Sequence, residues 1–257
     1  MNSFTFISLS YNQEEYIIEH LDSIKKLVEY YGKGLKIDYI LADDCSIDGT
    51  LEKAREWLNK NDGVFNDIRV LDRKKNVGIV KNMLCAVKHT KTEHFKILAA
   101  DDRFKCKDIF SLYRDMNHEL IFTPADPIDL MGNKEYRAAK NMDKNFQLVR
   151  MLKTPDKMKK MLKCQNFLFA PGVFIPGELL RNTKFQKFLL QFRNIEDYPM
   201  FYYFFTYFEC GVKIVNEHYV EYRVGSGIST DKGNEKRKYY DREIKKMYKI
   251  MDIKLYK

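Results

Sequence analysis

No glycine-rich phosphate loop occurs in this chain: neither GxGxxG after the first apolar run nor GxxxxGK[ST] is present. This argues against a helix N-terminus cradling a pyrophosphate in the manner of dinucleotide-binding or P-loop folds. A nucleotide bound here needs another counter-charge. The five cysteines (Cys45, Cys85, Cys106, Cys164, Cys210) are odd in number and form no CxxC, which argues against both a disulfide framework and a zinc site. No apolar run approaches the ~20 residues of a membrane span; the aromatic run FYYFFTYF at 201–208 is too short. MNSFTFISLSYNQEEY has no basic leader and meets Glu14 and Glu15 at once, so no secretory signal is expected and a cytoplasmic location is.

What is present suffices for a large core. The 257 residues, 45% hydrophobic, fit one large α/β domain or one with a helical annex. Lys and Arg outnumber Asp and Glu by 45 to 36, which suits an anionic partner without choosing among nucleotide, nucleic acid and membrane surface. Ten of those bases and only four acids fall between Lys232 and Lys257. There Tyr240, Ile244, Met247, Met251 and Leu255 recur at helical spacing, a basic amphipathic helix whose stripe suits a membrane surface and the protein's own core equally.

The first 130 residues alternate strand and helix patterns: strands at 4–9, 37–42, 68–72 and 94–100, helices from Asn12 to about Tyr31, then 50–60 and 79–90. Asn12 with Glu15 resembles a capping box. Such alternation predicts a mostly parallel, doubly covered sheet whose ligands bind beyond the carboxyl ends of the strands. Four polar loops fall at those ends: SYN (10–12), DDCSIDGT (43–50), RKKNVG (73–78) and DDR (101–103). Beyond residue 130, the spacing predicts a basic, mobile helical segment around Met158, Met161 and Leu162, a helix from Glu196 and one strand over 213–224.

Asp101 and Asp102 close an apolar strand, where ionised carboxylates carry a desolvation cost that a cation, a donor or solvent must meet. Alone, such a pair more often caps a helix. A hard divalent cation, bound through one or two carboxylates plus phosphates, is the functional alternative. Adjacent strand-end side chains point oppositely, so one holds metal while the other meets, for example, a ribose hydroxyl. Asp43 and Asp44 pose the same choice between a turn and a base: a carboxylate suits the imide N–H of uracil or thymine, or the N1–H of guanine, and repels the bare N1 of adenine. Tyr11 offers a ring for stacking, and Lys74, Lys75 and Lys81 offer charge for a diphosphate.

FISLSYNQEEYIIEHLDSI, IDYILADDCSIDGTLE, NVGIVKNMLCAV and FKILAADD, in that order, resemble the catalytic half of the family 2 glycosyltransferases of GT-A fold, over about residues 4 to 104. The resemblance implies an inverting, metal-dependent hexosyltransferase using a nucleotide-sugar, with UDP preferred to dTDP or GDP. It implies Tyr11 and Asp44 on the base, with Ser10 and Asn12 in the same loop, Asp101 near the ribose and Asp102 on Mn2+ or Mg2+. Lys81 joins these as a donor-binding candidate. IEDYPMFYYF is similar to the family's Glu-Asp element at a helix start, which implies Asp197 as catalytic base; the plainer reading is favourable charge at a helix N-terminus. YRVGSGIS resembles the closing element, with Gly225 where many members have His, and His218 is read as a strand residue.

The expected organisation is a catalytic domain over 1–230, divided into a nucleotide half (1–104) and an acceptor half (105–230), with the basic helix at 231–257. The expected acceptor is a hydroxyl of a glycan or lipid-linked saccharide, at the inner face of a membrane that the basic tail touches. Nucleic acid is not expected as a partner. The rival is an inactive nucleotide-sugar-binding subunit of a transferase complex.

Overall fold

The computed structural model describes residues 1–226 and 234–252. Its elements run β1 (Ser3–Ser10), α1 (Ile17–Tyr31), β2 (Lys36–Asp43), α2 (Thr50–Lys60), β3 (Asp67–Asp72), α3 (Ile79–His89) and β4 (Phe95–Ala99). Then follow β5 (Arg103–Phe104), α4 (Ile109–Arg114), β6 (Glu119–Phe122), β7 (Asp126–Ile128), α5 (Tyr136–Leu152) and α6 (Pro155–Leu162). The chain continues through β8 (Val173–Phe174), α7 (Gly177–Arg181), α8 (Thr183–Leu189), α9 (Asp197–Tyr207), β9 (Gly211–Ile214), β10 (Val220–Arg223) and α10 (Asn234–Ile250).

The central sheet is parallel throughout, in the order β3-β2-β1-β4. Both of its faces are covered, which is why its inner strands are almost continuously apolar. Phe4 and Phe6 of β1 and Tyr39 and Leu41 of β2 join one core with α1 and α2 residues such as Leu21 and Trp57. Ile7, Leu9, Ile40 and Ala42, of opposite parity, join the other core with α3 and α9. Two small mixed sheets, β5-β10-β7 and β8-β6-β9, extend the molecule beyond β4.

Four expectations are corrected. Helix α1 begins at Ile17 and has no side-chain cap at Tyr16; Asn12 instead sits at φ +53° and accepts from the Ile47 amide. The strand expected over 213–224 is two strands in different sheets, because the chain leaves Phe122 after Val215 and rejoins Lys105 at Tyr219. His218 therefore lies between strands, with Nδ1 2.8 Å from Asp126 Oδ1. The segment expected to be mobile is a packed helical hairpin, with Met142 and Val149 of α5 and Met158 and Leu162 of α6 buried; it breaks at Lys153, in left-handed conformation, before Pro155.

Helix α10 answers the question about its stripe. Met247 and Met251 are buried in the second core, and Tyr240 and Ile244 pack against it. The described part of the stripe is covered by protein; Leu255 lies outside the described residues.

Candidate active site

The carboxyl edge of the sheet sets Arg73, Asp44, Tyr11 and Asp101 on adjacent strand ends, since each chain continues its ladder by one further bond: Arg73 N to Asp43 O, Asp44 N to Ser10 O, Ala100 N to Leu9 O. Strand parity then divides their tasks. Ser10 and Asp43 share one face, and the Ser10 hydroxyl donates to Asp43 Oδ1 at 2.8 Å, while Ser46 donates through its amide and hydroxyl. Asp44 faces the other way, and its two oxygens accept from the amides of Val77 and Gly78, each at 2.8 Å. Ser10 and Asp44 are buried, whereas Tyr11 is 39% exposed. Asn12 clamps its loop to the next one, its amide donating to the Ser46 hydroxyl. Lys81 projects into solvent from the first turn of α3.

Asp102 turns inward. It is 2% exposed, its Oδ1 accepts from the Arg223 amide at 2.8 Å, and its carbonyl accepts from His20 Nδ1 at 2.6 Å. The His20 Nδ1 therefore carries the proton and Nε2 accepts from the Ser8 hydroxyl at 2.6 Å. Burial keeps that imidazole neutral, its pKa pushed down to about 4. Asp101 turns toward Ser226, an exposed residue whose hydroxyl donates to Oδ2 at 2.6 Å. Burial raises both carboxyls, Asp102 further because the Asp101 charge adds to it.

Arg223 organises this corner. Its guanidinium donates to the carbonyls of Asp101 (2.9 Å), Asp129 (3.0 Å) and Leu130 (2.8 Å) and to the Glu19 carboxylate (2.7 Å), and it lies 4.3 Å from the Tyr16 ring centre. Sequence reasoning quoted Arg223 within a motif and assigned it no task. Its partners are backbone carbonyls far along the chain, and no spacing encodes those.

Among the described residues no cluster of three or more His, Cys, Asp and Glu side chains is placed to hold a metal. Asp101 and Asp102 fit a hard divalent cation all the same: they are oxygen donors, under-compensated by one hydroxyl and one amide, and such ions take only one or two carboxylates when phosphates and waters complete the shell.

A second acidic station opens α9. Asp197 Oδ1 accepts from the Tyr198 amide at 2.6 Å and Oδ2 from the Asn166 side chain at 3.1 Å. Burial raises Asp197, and burial together with the Asp197 charge pushes Glu196 up to about 8. The loop before them is held from two sides. Arg193 donates to the Asn76 carbonyl and side chain (3.1 and 2.9 Å), and α10 presents Glu243 to the amides of Arg193 and Asn194 at 2.6 and 2.8 Å. Gly78 completes the joint: its φ is +88°, and a Cβ there would stand 2.4 Å from Arg193 Cγ. Asn166, Arg193 and Glu243 carried no signal in the sequence.

A parallel sheet with acidic loops on its carboxyl edge and no glycine-rich phosphate loop is the architecture of the GT-A glycosyltransferases. The model of the family described as "Glycosyl transferase family 2" matches residues 5–177, more than half of the chain, and the chain belongs to that family. Among solved structures, Staphylococcus aureus TarS (1-349) in complex with UDP-GlcNAc superposes with a TM-score of 0.63 at 17% identity, over 98% of this chain and 66% of that one. Its complex with UDP gives a TM-score of 0.58 at 19% identity, over 87% of this chain and 61% of that one. The chain thus spans less than two thirds of TarS (1-349), and the likeness concerns the fold. No curated protein matches.

Proposed function

We propose that the chain is an inverting glycosyltransferase that moves a sugar from a nucleoside diphosphate, UDP in particular, to a hydroxyl of a glycan or lipid-linked saccharide. One arrangement carries this reading in a chain of this family: a carboxylate pair, Asp101–Asp102, at the end of β4, and a second pair, Glu196–Asp197, whose preceding loop is tied through Arg193 to the Asn76–Gly78 loop. Gly78 in turn donates to Asp44 at the end of β2, so the loop before the second pair is anchored to the sheet edge. The UDP and UDP-GlcNAc held by TarS in its crystal structures support the choice of donor.

The chain's own residues then act as follows. Tyr11 stacks on the base, and Asp44, with a second lone pair on each oxygen, accepts from the imide N–H while anchoring the Asn76–Gly78 loop. Lys81 faces the diphosphate. A divalent cation, when bound, neutralises the diphosphate charge as it leaves. The resemblance implied Asp102 for that cation and Asp101 for the ribose; the geometry favours Asp101 as the cation's carboxylate, because Asp102 is engaged with Arg223 beneath it. Asp197 takes the proton of the acceptor hydroxyl as that oxygen attacks the anomeric carbon and the bond to phosphate breaks. A raised pKa suits a base working near neutral pH.

Residues 1–104 serve in this reading as the donor half and 105–230 as the acceptor half. No helix among the described residues is long and apolar enough to cross a membrane. The decisive experiment compares UDP-, GDP- and dTDP-sugars with and without Mn2+, in wild type and Asp197→Asn. Expected is UDP binding in both proteins and transfer in wild type alone, a drop of about 10²-fold or more. Transfer by Asp197→Asn at the wild-type rate would move the base elsewhere. Wild-type protein that binds UDP and transfers to no acceptor would favour the inactive-subunit reading.

A further inference from the structure

Eight of the sixteen Lys and Arg residues of the nucleotide-binding half have acidic partners, as in Lys53–Glu14, Arg55–Asp72 and Lys91–Asp67. The α5–α6 hairpin differs. Ten Lys or Arg and three acids lie between Lys134 and Lys163, and among the described residues none of the ten forms an ion pair. Arg137, Lys140 and Lys144 of α5 are exposed and spaced three and four apart, hence on one helix face spanning about 10 Å. Lys157 and Lys160 repeat the pattern on α6. Unpaired like charges repel one another, and a counter-charged ligand relieves that repulsion.

The hairpin is rooted on the site at both ends. The turn before α5 is gripped by Arg223 through the carbonyls of Asp129 and Leu130, the same guanidinium that holds Asp101. The segment after α6 delivers Asn166 to Asp197, and the α6 carbonyl of Leu162 accepts from the Tyr198 hydroxyl at 2.5 Å. The cationic face is therefore built onto the wall that bears the proposed base, on the acceptor side. Its apolar residues mostly face the core; Tyr136 and Met151 are exposed, but at opposite ends of α5. That leaves a polar cationic track without the continuous apolar edge of a membrane-inserting helix.

We propose that the acceptor is a polyanionic glycan, one carrying phosphodiesters or carboxylates along its chain, and that the α5–α6 hairpin binds it and leads its hydroxyl to Asp197. This rests on the transferase reading and adds the acceptor's chemical class.

The test uses the full chain and three probes: fluorescent inorganic polyphosphate, polygalacturonate, and vesicles of phosphatidylglycerol. A variant with Arg137→Gln, Lys140→Gln, Lys144→Gln, Lys157→Gln and Lys160→Gln is compared with a control that carries Lys26→Gln, Lys33→Gln, Lys36→Gln, Lys88→Gln and Lys184→Gln, also exposed lysines. Expected is at least tenfold weaker binding of one or both polymers in the hairpin variant alone, with UDP affinity and Tm unchanged. Phosphodiester and carboxylate sources separate by which polymer binds more tightly. With a UDP-sugar, anionic glycans should be used with at least tenfold higher kcat/KM than neutral ones, and the hairpin variant should raise their KM while keeping kcat. Equal weakening in both variants, equal use of neutral glycans, or binding to vesicles but not to either polymer overturns the proposal. Absent UDP binding in wild type, with polymer binding intact, would instead remove the transferase reading and the acceptor role with it.

Discussion

At the scale of residues, neighbouring acids in one motif have different duties because strand parity sends them to different faces. Asp43 and Asp102 point toward the core that holds α1, where Ser10 and Ser46 donate to the first and the Arg223 amide to the second. Asp101→Asn is accordingly expected to lose Mn2+-dependent UDP binding in calorimetry at unchanged Tm. Asp102→Asn, which still accepts from the Arg223 amide, should keep most of it; the reverse pattern would return the metal to Asp102. Asp44→Ala should weaken UDP several-fold and lower stability, because it strands two amide donors at about 1–3 kcal/mol each; ADP binding as tightly as UDP in wild type would contradict its base-reading role. Asn166 gives a pH test. Its hydrogen bond favours ionised Asp197, so Asn166→Ala should raise that pKa. The acid limb of kcat/KM would move to higher pH, with rates recovering above it, and an unmoved limb would detach Asn166 from the base.

At the scale of elements, the start of α9 is held against the sheet edge by the Arg193 loop and by α10. Gly78→Ala meets both a left-handed backbone and the Arg193 side chain and carbonyl, and should cost about 1–3 kcal/mol, read as a lower urea midpoint. Glu196 gives the element a pH dependence with a definite sign. Its folded pKa, about 8, lies above the unfolded value of 4.5. Its contribution to stability is thus full below about pH 4.5 and is lost as pH rises toward 8. Glu196→Gln should raise Tm at pH 8, by roughly 2–4 °C per kcal/mol recovered for a chain of this size, and change little at pH 4.5. An equal Tm gain at both pH values would mean that the charge at Glu196 is not what destabilises the wild type.

At the scale of the whole molecule, the two cores share the central sheet, and α10 closes the second of them through Met247 and Met251. Removing the chain from residue 234 onward exposes that face and frees the amides of Arg193 and Asn194. The expected result is a Tm lower by well over 5 °C, consistent with the ~2–5 kcal/mol that truncation of one buried Met already costs. A truncated protein with unchanged Tm and lost vesicle binding would assign this helix to a membrane surface instead.

The amino-acid sequence by itself determined the alternation of strands and helices through residue 100, the parallel sheet, and the polar loops at its carboxyl edge. Those features follow from local periodicity and chain direction, which neighbouring residues encode. The four ordered motifs were legible for the same reason. Only the tertiary structure decided which partners each member of an acidic pair meets, that Arg223 and Asn166 hold the two carboxylate stations, that 213–224 divides between two sheets, and that Met247 and Met251 of the α10 stripe meet protein. Each of these depends on contacts between residues as distant as Glu19 and Arg223. An amphipathic stripe states that a face must be covered, and only the packing of the whole chain states by what.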